Sequence, residues 1–200
     1  MNQAQTPARH YEVHCTIGSK DGGSTTAAQT ALFRELCLGK GIKTIVYENG
    51  VPVTSTHVMT STKAKDNEEA QTAMATIAAV ASQAGVAVIR RKIEVSPRLT
   101  DIVTGKDYFE LHVMINCEDI SKVPFDKKLW SVSRNIEKPA TSYTLTMRGR
   151  KMDLKQFKKQ SRASMKGFES FIDPMKSAYV ERCIFDDNTE LDNDWIKKAA

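Results

Sequence analysis

Apolar and polar residues alternate most clearly near the N-terminus. There, residues 10–17 read as a strand with Glu12, His14 and Thr16 on one face and Val13, Cys15 and Ile17 on the other. A helical period follows, with Ser24 or Thr25 placed to cap a helix that reaches Gly39 and carries Leu32, Phe33, Leu36 and Cys37 on one side. Residues 42–48 and 51–60 form two further strands about an Asn49-Gly50 hairpin turn. Asp66 and Glu69 read as a capping box for an alanine-rich helix to Gly85. A fourth strand, 86–95, turns Ala87, Ile89 and Ile93 toward the helices and Arg90, Lys92 and Glu94 away from them. This βαββαβ order is that of a ferredoxin-like unit.

Beyond a polar stretch holding Pro97 and Gly105, the order repeats more loosely. A strand at 108–116 leads to a helical region broken by Pro124 and reaching Ser133; then come a weak segment at 134–139, a strand at 140–148, a helix at 153–172 and a strand at 178–186. The expected fold is therefore α+β, with duplicated βαββαβ ferredoxin-like halves whose open sheet faces form a shared cleft. Its expected divisions are a disordered N-terminus at 1–9, a first half at 10–97, a linker at 98–107, a second half at 108–186 and an acidic C-terminal tail at 187–200.

A chain of 200 residues with 40% hydrophobic content can bury a real core. No apolar run approaches the ~20 residues of a membrane span, and the first residues lack the pattern of a signal peptide, so a cytoplasmic protein with no membrane partner is expected. Cysteines 15, 37, 117 and 183 show no C-x-x-C spacing and read as reduced, structural side chains. The formal charge of +5 favours anionic partners, and much of the excess lies between Lys151 and Lys166. That stretch reads as a solvated helix face or as an RNA- or DNA-binding patch. Asp21-Gly22-Gly23-Ser24 precedes a helix but lacks the P-loop pattern and reads as a loop.

The chemistry-bearing letters occur twice. Tyr11-Glu12-Val13-His14-Cys15-Thr16-Ile17 and Tyr108-Phe109-Glu110-Leu111-His112-Val113-Met114-Ile115 each set a Glu-x-His on a strand, in a chain with only 4 histidines. Two imidazoles facing one cleft, with Arg and Lys on neighbouring strands, suit phosphoester cleavage. One withdraws a proton, the other supplies one, and fixed cations hold the phosphoryl charge. His14 and His112 are then the expected catalytic pair, with Glu12 and Glu110 orienting their rings. Thr16, Arg90, Lys92, Arg134 and Arg148 are the expected substrate contacts. The expected partner is a phosphate-containing small molecule, nucleotide or RNA, with no cofactor; a homo-oligomer is also compatible. Two alternatives use the same residues: a divalent metal held by His14, Glu12, His112 and Glu110, and a non-catalytic nucleotide- or protein-binding module. An RNA-stacking surface is disfavoured, since Tyr11, Phe109 and Tyr143 fall on the face opposite the charged residues.

His14-Cys15-Thr16 resembles the His-x-Thr/Ser motif of the two-histidine phosphoesterases, which use two such motifs on pseudo-symmetric halves to cleave cyclic phosphates or 2′,5′ linkages. His112-Val113-Met114 and His57-Val58-Met59 depart from that pattern, since Met cannot donate to a phosphate. The metal alternative is similar to the vicinal-oxygen-chelate enzymes, which hold an ion between duplicated modules. From Tyr108 onward the chain also resembles a group of bacterial and phage proteins without an assigned activity, through YFELHVMI, Ser133-Arg134-Asn135, Thr144-x-Thr146-x-Arg148 and FDDNTELDNDWI. That likeness groups Arg134, Asn135, Arg148, Asn188, Asp192 and Trp195 with the Glu-x-His pair.

Overall fold

The computed structural model describes residues 10–19, 25–50, 55–98, 100–176 and 178–192. The expected N-terminal segment 1–9, the loop at Asp21-Gly22-Gly23-Ser24, the end of the acidic tail with Trp195, and the side chain of Asp192 lie outside the described residues.

The first part of the chain forms β1 (Tyr11–Gly18), α1 (Ala27–Leu38), β2 (Lys43–Asn49), β3 (Ser55–Ala64), α2 (Asn67–Gln83) and β4 (Ala87–Val95). Thr26 caps α1 in place of Ser24 or Thr25. It accepts from Gln29 N while the Gln29 side chain accepts from Thr26 N, a reciprocal capping box. Asp66 caps α2 by accepting from Glu69 N at 2.8 Å, and the Glu69 carboxylate takes Lys65 N instead of returning to Asp66. Ala70, Met74, Ile77, Val80 and Ala81 make the buried stripe of α2.

The second part forms β5 (Ile102–Val103), β6 (Tyr108–Asn116), β7 (Trp130–Asn135), β8 (Ser142–Gly149), β9 (Met152–Asp153), α3 (Leu154–Met165) and β10 (Tyr179–Asp186). No long helix forms before Ser133: a 3-10 turn at Ile120–Lys122 is followed by β7, whose buried Trp130 and Val132 alternate with half-buried Ser131 and Ser133. That period of two is a strand signal. α3 ends at Met165, short of 172, because Gly167 adopts φ 102, outside helical geometry, and Phe168 then turns into the core. The expected linker at 98–107 carries β5, which pairs with β9 in a small separate ladder.

The expectation of two ferredoxin-like halves meeting across a cleft is corrected. Eight strands close into one barrel in the order β1-β3-β2-β7-β8-β6-β10-β4. Two seams make the closure. Tyr47, Glu48 and Asn49 of β2 pair with Asn135, Arg134 and Ser133 of β7, while Val95 to Lys92 of β4 pair with Arg182 to Asp186 of β10. β2, β4, β7 and β10 would otherwise be edge strands with a row of unmet backbone groups, and the strands' twist lets closure satisfy them. The sheet faces expected to be open are the barrel interior.

The apolar cores therefore lie outside the barrel wall, under the helices. Val13, Cys15 and Ile17 pack with Phe33, Ile77 and Val80 on one side. Phe109, Leu111, Leu145, Trp130, Phe157 and Phe168 pack on the other. α3 sits close to the wall at Gly149, where a Cβ would run into the Phe157 ring and stand 2.9 Å from Met152 Sδ. Gly149→Ala is expected to displace the stacked Phe109–Phe157 rings and to lower the unfolding free energy by roughly 1–3 kcal/mol, read from the urea midpoint of the variant against wild type.

Candidate functional site

Strand alternation carries a set of ionisable side chains into the barrel: Glu12 and His14 from β1, Arg90, Lys92 and Glu94 from β4, Glu110 and His112 from β6, Arg148 from β8, and Glu181 from β10. Glu110 is fully buried at the centre. Arg148 Nε donates to its Oε1 at 2.5 Å, Lys92 Nζ to its Oε2 at 3.0 Å, and His112 Nε2 lies 3.2 Å from the same Oε2. Lys92 Nζ also lies 2.8 Å from Glu94 Oε1, at an angle that makes the contact an ion pair rather than a directed hydrogen bond. Glu94 Oε2 in turn sits 2.9 Å from His14 Nε2. Both Glu-x-His pairs thus belong to one continuous chain of contacts, joined through Glu94, Lys92 and Glu110. A second cluster closes one flank, where Arg90 makes a two-pronged contact with Asp186 and the Tyr108 hydroxyl donates to Asp186 Oδ2 at 2.6 Å.

The hydrogen-bond partners set the protonation states. His14 Nδ1 faces the Thr60 carbonyl at 3.1 Å and Nε2 faces the Glu94 carboxylate; both partners only accept, so both ring nitrogens carry protons. His112 Nε2 faces two carboxylates, Glu110 and Glu181, at 3.2 and 3.3 Å, and Nδ1 faces Thr146 Oγ1 at 3.0 Å. Burial opposes charge on both rings, but Glu94 raises the pKa of His14, and Glu110 with Glu181 raises that of His112 to about 9. Burial likewise opposes ionisation of Glu110 and Glu94. Arg148 and Lys92 hold Glu110 well below the usual carboxylate range, and Lys92 lowers Glu94. In this network five acids, Glu12, Glu94, Glu110, Glu181 and Asp186, face five cations, Arg90, Lys92, Arg148 and the two imidazolium rings.

These contacts correct the phosphoesterase reading. Acid–base cleavage needs one imidazole with a free lone pair, and neither His14 nor His112 presents one. The expected phosphate contacts are also engaged: Lys92 by Glu94 and Glu110, Arg148 by Glu110, and Arg90 by Asp186. Thr16 is buried off the cavity lining, and Arg134 pairs with Glu48 on the side of β7 opposite Ser133 and Asn135, which do line the cavity. Asn188 donates to the Ile89 carbonyl, so it fastens the start of the tail to β4. Glu12 and Glu110 do stand beside their histidines, but Glu94 and Glu181 share that work. Both were legible only as further inward-facing positions on β4 and β10.

The metal alternative meets a similar obstacle. Glu94, Glu110 and His112 bring ligand atoms within 4.8 Å of one another, donor types that suit a divalent cation. The Lys92 ammonium already sits between the two carboxylates, so an ion would have to expel it from a buried position.

Above this charged floor the barrel encloses a cavity of ≈ 800 Å³. Ile45, Tyr47, Met59, Met114 and Tyr179 give it apolar walls, and Asn49, Ser133, Asn135 and Thr144 give it neutral polar groups. The Thr144 hydroxyl is turned to the Met114 sulfur at 3.3 Å, a weak acceptor. Lys43 and Lys138 are exposed on the lining. Because β7 runs antiparallel to β2, Lys138, just past the end of β7, lies toward the Lys43 end of β2.

No family model matches the sequence, and the curated proteins contain no match. Among solved structures, the chain is similar to a chlorite dismutase from Candidatus Nitrospira defluvii, at 11% identity over 96% of both chains with a TM-score of 0.33. It is also similar to an anthrone oxidase-like protein, at 10% identity over 88% of this chain and 92% of the other with a TM-score of 0.28. Neither is named as a phosphoesterase, and likenesses this distant carry no chemistry across. Among the described residues, no helix is long and apolar enough to cross a membrane.

The raised histidine and lowered glutamate pKa values set the pH dependence of stability. The carboxylates' contribution is present above about pH 4.5 and lost as they protonate, whereas the imidazolium contribution is present below about 6.5 and lost as pH rises toward 9. Stability is expected to peak between these limits and, through His112 alone, to fall by roughly 3 kcal/mol at high pH, measured as the urea midpoint across pH 4–10. The alkaline loss should shrink in His112→Gln. Glu110→Gln leaves Lys92, Arg148 and His112 facing a neutral amide. Thermal denaturation should show a loss of about 3–5 kcal/mol, on the order of 10 °C in Tm.

Proposed function

We propose that this protein binds a small organic molecule of mixed polarity inside the barrel, as a receptor or carrier. The observation that supports this reading is the cavity of ≈ 800 Å³, of a size that encloses a drug-sized ligand. Its walls combine apolar side chains with a few neutral polar ones, the usual lining of such a site. The floor is a fixed array of charges that satisfy one another, so it offers shape and oriented dipoles rather than a net charge to be neutralised. A ligand's apolar body fits against Ile45, Tyr47, Met59 and Met114. Its polar atoms meet Thr144 and Ser133, and an anionic end is favoured by Lys43 and Lys138.

The dye 8-anilinonaphthalene-1-sulfonate, apolar rings with one anionic group, is a direct probe. Native protein should bind it saturably, at one equivalent and with a Kd on the order of micromolar, and with enhanced fluorescence. Met114→Trp or Ile45→Trp, each filling the cavity, should weaken it at least tenfold without altering the far-ultraviolet circular dichroism. Non-saturating fluorescence, or affinity unchanged from wild type in both filled variants, would exclude the barrel as the binding site.

A further inference from the structure

The chain's excess positive charge is concentrated on one helix outside the barrel. Lys151, Lys155, Lys158, Lys159, Arg162 and Lys166, set against Asp153, give residues 151–166 a net +5, which equals the formal charge of the whole chain. None of these six basic side chains has an ionic partner among the described residues. The lone acid of the stretch, Asp153, is used as the N-cap of α3, accepting from Gln156 N at 2.7 Å.

The cations are also ordered. At about 100° per residue, Lys155, Lys158, Lys159 and Arg162 fall within an arc of roughly 100° on α3. Leu154, Phe157 and Ser161 on the adjoining arc hold the helix to the barrel. Gln156, Gln160 and Ala163 occupy the remaining exposed side, with no charge. Lys151 and Lys166, both exposed, flank the helix at either end. A helix face serving only solubility intersperses acids, because Glu–Lys pairs four apart support the helix. Here Lys155–Lys159 and Lys158–Arg162 are like-charge pairs four apart, each of which weakens an isolated helix by a few tenths of a kcal/mol.

We infer that the basic face of α3 is a docking surface for duplex nucleic acid, held through its phosphates without reading sequence. Four cations on about 10 Å of helix axis face a duplex that carries one phosphate charge per ≈ 1.7 Å of its own axis, twice the density of either strand alone. The face carries no aromatic side chain on which an unpaired base could stack, which disfavours single strands. It carries no large apolar side chain to enter a lipid surface either. The surface is separate from the barrel cavity, so it stands whether or not the cavity reading does.

The test is fluorescence anisotropy of the 200-residue chain with a fluorescein-labelled 20-base-pair DNA duplex, the matching RNA duplex and the single strands, at several salt concentrations. The expected result is duplex binding that weakens about a hundredfold between 50 and 200 mM salt, as about four phosphate contacts require. The triple variant Lys155→Gln/Lys159→Gln/Arg162→Gln should bind more than tenfold more weakly at 100 mM salt, with a salt slope lower by roughly 3. Lys40→Gln/Lys63→Gln/Lys65→Gln, on the α2 side of the barrel, loses the same net charge and should keep affinity within about twofold; circular dichroism checks that both fold. Absence of duplex binding at 50 mM salt, tighter binding of single strands, or equal weakening in the two triple variants would overturn the proposal.

Discussion

Lys92 and Glu110 meet inside the barrel, and their ion pair ties together what the chain builds separately. Lys92 belongs to β4 and Glu110 to β6, 18 residues apart in sequence and on strands separated by β10 in the wall. Each is held by further partners, Lys92 by Glu94 and Glu110 by Arg148 and His112. With Lys92, Glu94 and Glu110 buried and His112 and Arg148 largely so, removing any one leaves a charge without compensation in a medium that penalises it heavily. The barrel must therefore close in this register or not at all. A slip of one residue in β4 or β6 would turn the charges into the apolar layer beneath the helices.

That constraint explains an inversion in the layout. Small barrels are commonly filled by apolar side chains, whereas here the apolar cores sit on the outside of the wall, each roofed by helix or irregular chain, and the inside is ionic. β1, β4, β6, β8 and β10 thus carry paired charge on the inward face, while β2, β3 and β7 line the cavity with residues such as Ile45, Tyr47, Met59 and Ser133. The two seams, β2 with β7 and β4 with β10, close the ladder so that no barrel strand remains an edge. Around the β4–β10 seam, Arg90 grips Asp186 from within while Arg91 pairs with Asp187 on the outer side, so both surfaces of the wall lock the same join.

Much of this was legible residue by residue, and the rest was not for identifiable reasons. Alternation alone places Glu12 and His14 against Val13 and Cys15, and Glu110 and His112 against Leu111 and Val113, with the faces as the structure has them. Closure was hidden, because the pairing of Tyr47 with Asn135 joins strands far apart in sequence and leaves no local mark. β7 was obscured by the loops that precede it, although Trp130 and Val132 already carried its period. The charge state of the histidines was hidden as well. A Glu-x-His string suggests a ring tuned for catalysis; only the Thr60 carbonyl beside His14 Nδ1 and the second carboxylates, Glu94 and Glu181, show rings whose protons are committed to structure.

The distribution of charge then separates two kinds of recognition. At the floor of the cavity five acids face five cations with both imidazoles protonated, and the groups are fixed by mutual contacts, so a guest gains little from bringing a full charge there. Shape, apolar contact with Tyr47 and Met114, and single hydrogen bonds to residues such as Thr144 decide what fits. Outside, the uncompensated charge gathers on α3, where exposed Lys155, Lys159 and Arg162 act through long-range attraction rather than fit. Salt therefore distinguishes the two surfaces. Raising ionic strength screens the exposed lysines of α3 strongly, while the buried Lys92–Glu94–Glu110 network is screened much less.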